Sequence, residues 1–132
     1  MSNISHLSCK SDQFTDVTRT EQTGVGYERV VLESGTVEYW VDGVLHREGK
    51  PAIEWSSGNE SWYFDGKLHN DCGPAIWQKN GTILEWWLHG KRLFKKDFTD
   101  FELIDKLGAW SIFTPVEIIE MKKKFVNEQD NI

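Results

Sequence analysis

His46 and His69 stand 23 positions apart, in the phrases "DGVLHREGKPAIEW" and "DGKLHNDCGPAIWQ", each at the same place in a repeated sentence. Two imidazoles with Asp71 or Cys72 beside them are the donor types of a zinc site, but such a site takes three or four ligands. No third histidine and no CxxC pair completes one here. The reading is therefore no metal and no cofactor, with each histidine bonding a neighbouring backbone carbonyl and orienting its GPA turn. Glu38 and Glu85 are the other suggestive pair, since two carboxylates across a site can act as acid and base. A repeat places similar residues at similar positions without any reaction behind them. With no GxSxG elbow, P-loop or HExxH motif in the chain, no enzyme is expected.

The aromatic residues carry more. Seven Trp in 132 residues, within 13% aromatic residues, is rich for a chain this short. Strand alternation puts Tyr39, Trp62 and Trp86 on one face, where they should meet helices. Trp40, Tyr63 and Trp87 go to the other face, beside Glu38, Ser61 and Glu85. Rings with polar edges dominate interface hot spots, so Trp40, Tyr63, Trp87, Glu38 and Glu85 are the expected partner-binding residues. Two other readings stand beside this one: cross-strand packing that only stabilises the sheet, and a ladder that stacks a nucleotide or glycan.

The elements that must position these residues follow from the glycines. Gly35, Gly58 and Gly81 recur at steps of 23; Gly43 and Gly66 keep the step, and Gly90 follows at 24, so the third copy has one extra residue. Ser-Gly, Ser-Gly and Asn-Gly between runs of Val, Ile, Trp, Tyr and Phe predict β-hairpins, each a strand, a tight turn and a strand. Asp-Gly then opens a connecting loop in which Pro51 or Pro74 cannot donate to a ladder.

A glycine hairpin, Tyr or Trp pairs, "DGKLH", a polar dipeptide and "GPA" together resemble the MORN repeat, in the variant form of small bacterial and phage proteins. The match covers about residues 29 to 93. The resemblance implies a curved antiparallel β-meander whose work is protein–protein contact, sometimes membrane association, and in bacterial relatives an antitoxin-like role. The third copy departs, with "GKRLFKKDF" where the GPA loop would stand, and the array should end there.

An open array needs its last edge covered. "FTDFELIDKLG" offers Thr99 or Asp100 as an N-cap, apolar residues at helical spacing and Gly108 as a stop. "FTPVEIIEMKKKFV" offers Thr114, Pro115 and Glu117 as a capping box, with Ile118, Ile119, Met121 and Phe125 docking on the sheet. The expected fold is α+β, mainly β: a curved antiparallel β-meander of about three stacked hairpin repeats, capped by two C-terminal helices. Residues 1–28 form an N-terminal segment, an extra edge strand or partly disordered, 29–97 the repeats and 98–132 the helical cap, all in one domain.

Net charge is −6, from 15 basic and 21 acidic residues. Without a cationic stripe the chain is a poor candidate for nucleic acid or anionic lipid and suits a protein partner with a basic surface. Lys122 to Lys124 read as the solvated end of a helix. No run approaches the roughly 18 apolar residues of a membrane span, and no basic start with an apolar run opens the chain. A cytoplasmic protein with Cys9 and Cys72 as reduced thiols is expected. A free strand edge at residues 29–33 would let two copies pair as a homodimer. The function so implied is a non-enzymatic inhibitor or antitoxin-like module, of phage or bacterial type, that masks a protein such as a nuclease.

Overall fold

The structure, a computed structural model, describes residues 21–24 and 26–130, with side chains for 26–124 and 126. Among these residues the chain runs β1 (Glu21–Gly24), β2 (Tyr27–Val31), β3 (Val37–Val41), β4 (Val44–Leu45), β5 (Ile53–Glu54), β6 (Glu60–Ser61), β7 (Tyr63–Phe64), β8 (Lys67–Leu68), β9 (Ile76–Trp77), β10 (Leu84–Leu88) and β11 (Lys91–Leu93). Two helices follow, α1 (Phe101–Leu107) and α2 (Pro115–Asp130), with short 3-10 turns at Lys95–Asp97 and Ala109–Ile112. The strands form an antiparallel sheet in the order β1-β2-β3-β5-β6-β9-β10-β11, with β4 alongside β3 and β7-β8 as a separate ribbon. This is the mainly-β meander with a helical cap that the repeats predict.

The turns differ from expectation in an instructive way. The glycine hairpins are not two-residue turns: Leu32 N–H bonds Thr36 O at 2.8 Å and Trp55 N–H bonds Asn59 O at 3.0 Å, with Gly35 and Gly58 at φ of 93° and 94° closing each loop. In the third copy the bond runs from Gln78 N–H to Ile83 O at 3.1 Å, so the extra residue sits in this turn. The two-residue hairpins are instead Asp42-Gly43, Asp65-Gly66 and His89-Gly90. There both residues have positive φ, between 48° and 82°, the type I′ geometry that matches strand twist. What the sequence presents as the start of a loop is therefore a second hairpin in each copy, returning along β4, β8 and β11.

Copies are joined by backbone bonds from the middle of one central strand to the GPA segment: Tyr39 N–H to Ala52 O at 2.8 Å and Trp62 N–H to Ala75 O at 2.7 Å. The preceding prolines, Pro51 buried and Pro74 partly so, present carbonyls that need donors. Arg47 Nη1 supplies one to Pro51 O at 3.1 Å, and Asn70 Nδ2, at the same repeat position, supplies one to Pro74 O at 2.9 Å.

Tyr39, Trp62 and Trp86 are each 3% exposed, but only Trp86 lies under the helices. It packs with Phe98, Ile104, Leu107 and Ala109. Trp62 is buried against Cys72, Ala75 and Trp87 instead, which corrects the expectation that one apolar face runs unbroken beneath the cap. Both helix starts are as the sequence predicts. Asp100 accepts from Glu102 N–H at 3.0 Å, and Gly108 ends α1 at φ 63°. Thr114 and Glu117 exchange backbone bonds at 2.7 and 3.2 Å. The Lys95 ammonium, 2.8 Å from Glu117, and the Thr114 N–H hold that carboxyl below its ordinary value. Met121 packs on the core, whereas Ile119 is 52% exposed and does not dock, because α1 and the sheet engage only one side of α2. The Phe125 side chain and residues 1–20 lie outside the described residues. β1 pairs with Tyr27 to Arg29, so part of the edge expected to be free for a second copy is already covered.

Candidate functional site

The Nδ1 atoms of the loop histidines act as acceptors. His46 Nδ1 takes the Asp65 N–H at 2.9 Å, and His69 Nδ1 takes the His89 N–H at 2.8 Å. Each therefore stitches its own copy to the type I′ turn of the next. Only a nitrogen without a proton can do this, so both rings carry their proton on Nε2 when neutral. His46→Ala should cost about 1–2 kcal/mol in chemical denaturation, the price of an unsatisfied turn N–H. His46→Asn, whose Oδ1 stands close to the position of Nδ1, should recover most of that, and His46→Gln little. Equal losses in all three would show that the stitch is unimportant.

The same stacking collects rings. Phe64 lies 4.5 Å from the His46 ring, 5.7 Å from His69 and 6.5 Å from His89. His69 and His89 stack at 4.0 Å and 28°. Beside them opens a cleft of about 430 Å³, walled by Phe64, His69 and His89, by the carboxylates of Glu48 and Asp71, and by Lys106 of α1. Glu48 and Asp71 are again 23 apart, one repeat position seen twice. Arg47 also borders the cleft, but its guanidinium is committed 3.7 Å above the Tyr39 ring and 3.2 Å from Glu54. The Tyr39 hydroxyl donates to Glu54 at 3.0 Å and accepts from Arg29 Nε at 3.2 Å, and burial pushes its phenol up from 10.0.

The five residues expected to bind a partner lie elsewhere, and none lines this cleft. Trp40, Tyr63 and Trp87 are half-buried. Trp40 Nε1 donates to Glu38 at 3.1 Å and Trp87 Nε1 to Glu85 at 2.9 Å, so each indole is held by the carboxylate two residues before it. Trp87 also packs against the Trp62 cluster. Trp55 is more open, at 45% exposed, and Leu32 and Ile83, beside the hairpin turns, are 40% exposed each. Trp55 Nε1 donates to Ser61 at 2.9 Å, which fixes it on the Tyr63 side of the sheet. Its place two residues after Ile53, on the same side of the strand, is the signal for that face in the sequence.

No family model matches the chain, and no curated protein or solved structure matches it either. Among the described residues no group of three or more His, Cys, Asp or Glu is placed to hold a metal ion, and no helix is long and apolar enough to cross a membrane. Cys72 is disulfide-bonded, which overturns the expectation of a reduced thiol there; Cys9 lies outside the described residues. With no thiol proton, Cys72 Sγ merely touches Asn70 Oδ1 at 3.0 Å, while the Cys72 N–H donates to that oxygen at 3.0 Å.

Proposed function

We propose that the chain is a non-enzymatic protein-interaction module built on MORN-type repeats, an antitoxin-like inhibitor of phage or bacterial type that masks a protein such as a nuclease. The carrying observation is Trp55, 45% exposed and held by Ser61 on the side of the sheet to which alternation assigns half-buried Trp40, Tyr63 and Trp87. Exposed apolar residues rimmed by Glu38 and Glu85 are the composition of a docking surface, and a net charge of −6 favours a partner with a basic surface. A nucleotide or glycan stacked on the ladder is the weaker reading, since half-buried rings with occupied indole N–H groups offer little open surface. The sequence points to a cytoplasmic setting. The disulfide at Cys72 weighs against it, because cytosolic thiols are held reduced.

A pull-down with mass spectrometry tests the reading. One stoichiometric partner should be retained at moderate salt, and Trp55→Ala should weaken that complex by about 2 kcal/mol or more while changing stability by about 1 kcal/mol or less. No partner from several candidate hosts, or undiminished binding by Trp55→Ala, would overturn it.

A further inference from the structure

We propose that mild acid loosens the junction between the second and third copies and spares the one between the first and second, because His89 stands where the first junction has Asp65. The two junctions are otherwise built alike. Gly66 N–H bonds Leu45 O at 2.8 Å and Gly90 N–H bonds Leu68 O at 2.9 Å, while Arg47 N–H bonds Tyr63 O at 3.2 Å and Asn70 N–H bonds Trp87 O at 3.1 Å. Each junction also carries one histidine stitch, in which Nδ1 accepts a turn N–H. A second proton on either ring makes its Nδ1 a donor pointed at another donor, and that bond is lost. Imidazole ordinarily takes this proton between about pH 5 and 8, a range in which carboxyls ordinarily stay ionised. Both stitches are therefore made above that range and removed as pH falls through it.

What surrounds each ring decides whether another bond takes over. Around His46, the Asp65 carboxylate stands 3.4 Å from Nδ1 and the Glu48 carboxylate 3.9 Å from Nε2, with the Phe64 ring at 4.5 Å. The Asp65 side chain is exposed and can close its distance, so a protonated Nδ1 donates to Oδ1 of the same residue whose N–H it released. The first stitch reverses direction and still ties the turn. Around His69, the turn residue is His89, whose ring stacks on it at 4.0 Å, and Phe64 lies at 5.7 Å. Asp71 of its own loop, Arg47 and Glu48 of the loop before and Lys106 of α1 border the same cleft, so charges of both signs face it. At the turn itself the contrast is plain. Protonating two stacked imidazoles sets like charges together, where the first junction offers a carboxylate.

The experiment is amide hydrogen exchange on the full chain at about pH 7.5 and about pH 5.5, either side of imidazole's ordinary value, read as protection factors that remove the intrinsic pH dependence of exchange. The backbone bonds between copies are the reporters. From the higher pH to the lower, protection of the Gly90 and Asn70 amides should fall about tenfold, the scale of one lost hydrogen bond, while that of Gly66 and Arg47 should change by less than about twofold. His89→Asp gives the third turn the residue of the first two and should hold Gly90 and Asn70 at both pH values. His89→Gly, which suits the positive φ of 48° but brings no carboxylate, should still lose them in acid. Protection that holds at both junctions, falls at both together or falls at the first alone would overturn the proposal, as would His89→Asp and His89→Gly responding alike. The measurement involves no partner, so it stands or falls apart from the docking face.

Discussion

Trp86→Ala is expected to lower the unfolding free energy by about 3–5 kcal/mol, the range for emptying an aromatic site from a packed core. The ring is 3% exposed and fills the space between the sheet and Phe98, Ile104 and Leu107. Phe98 meets it edge to face at 6.0 Å. Its indole Nε1 also donates to Leu107 O at 2.6 Å, satisfying a carbonyl in the last turn of α1. Trp86 is thus both the floor of the cap and a bond to its helix. Trp86→Phe separates the two roles. It keeps a ring and should cost about 1–2 kcal/mol, near the value of one buried hydrogen bond with a small cavity. Thermal and urea melts would read both variants. If Trp86→Ala cost less than about 1 kcal/mol, the cap would not be anchored where the structure places it.

Arg47→Ala is expected to cost about 2–4 kcal/mol, because one side chain serves three partners. It is 6% exposed, stacks 3.7 Å over Tyr39, pairs with Glu54 at 3.2 Å and donates to Pro51 O at 3.1 Å. A charge so placed is stabilising only while its partners remain, since desolvation offsets much of the Coulomb attraction. The repeat suggests its own repair. Asn70 makes the equivalent bond to Pro74 O, so Arg47→Asn should recover about 1 kcal/mol relative to Arg47→Ala. Arg47→Asn no better than Arg47→Ala in the same melts would mean that the proline carbonyl is not what the position serves.

These two residues mark what could be read in the sequence and what could not. Trp86 was legible as buried because alternation and the flanking Leu84 and Leu88 put it on an apolar face. Thr114 and Glu117 were legible because a capping box is local, four residues deciding their own geometry. Arg47 was not, since nothing in "HREGKPA" tells that its guanidinium turns inward to a proline carbonyl four residues on. The type I′ turns were half-read: Asp-Gly was seen, but His89-Gly90 carries the same positive φ on a residue that rarely adopts it, and only the two copies before it make that intelligible. The cleft was least legible. Its walls come from loops 23 residues apart and from α1, so no window of sequence contains them, although Glu48 and Asp71 share a register that a repeat alignment exposes. Alternation assigns Trp40, Tyr63 and Trp87 to one face of the sheet, and Trp55, which Ser61 holds on the same side, is more exposed than any of them.

The histidine stitches also bear on how such a chain can change length over generations. The first and second copies each offer an imidazole nitrogen forward, the second and third each offer a turn N–H backward, and the two are complementary whatever the number of copies between them. A tandem duplication of the 23 residues from Asp42 to Phe64 would arrive with both of its junctions already matched, whereas material added after β11 would meet the helices and find no acceptor waiting. Growth is thus permitted in the interior and blocked at the end, and an inherited slip of one unit would widen the sheet while leaving the helical terminus and its anchoring tryptophan untouched.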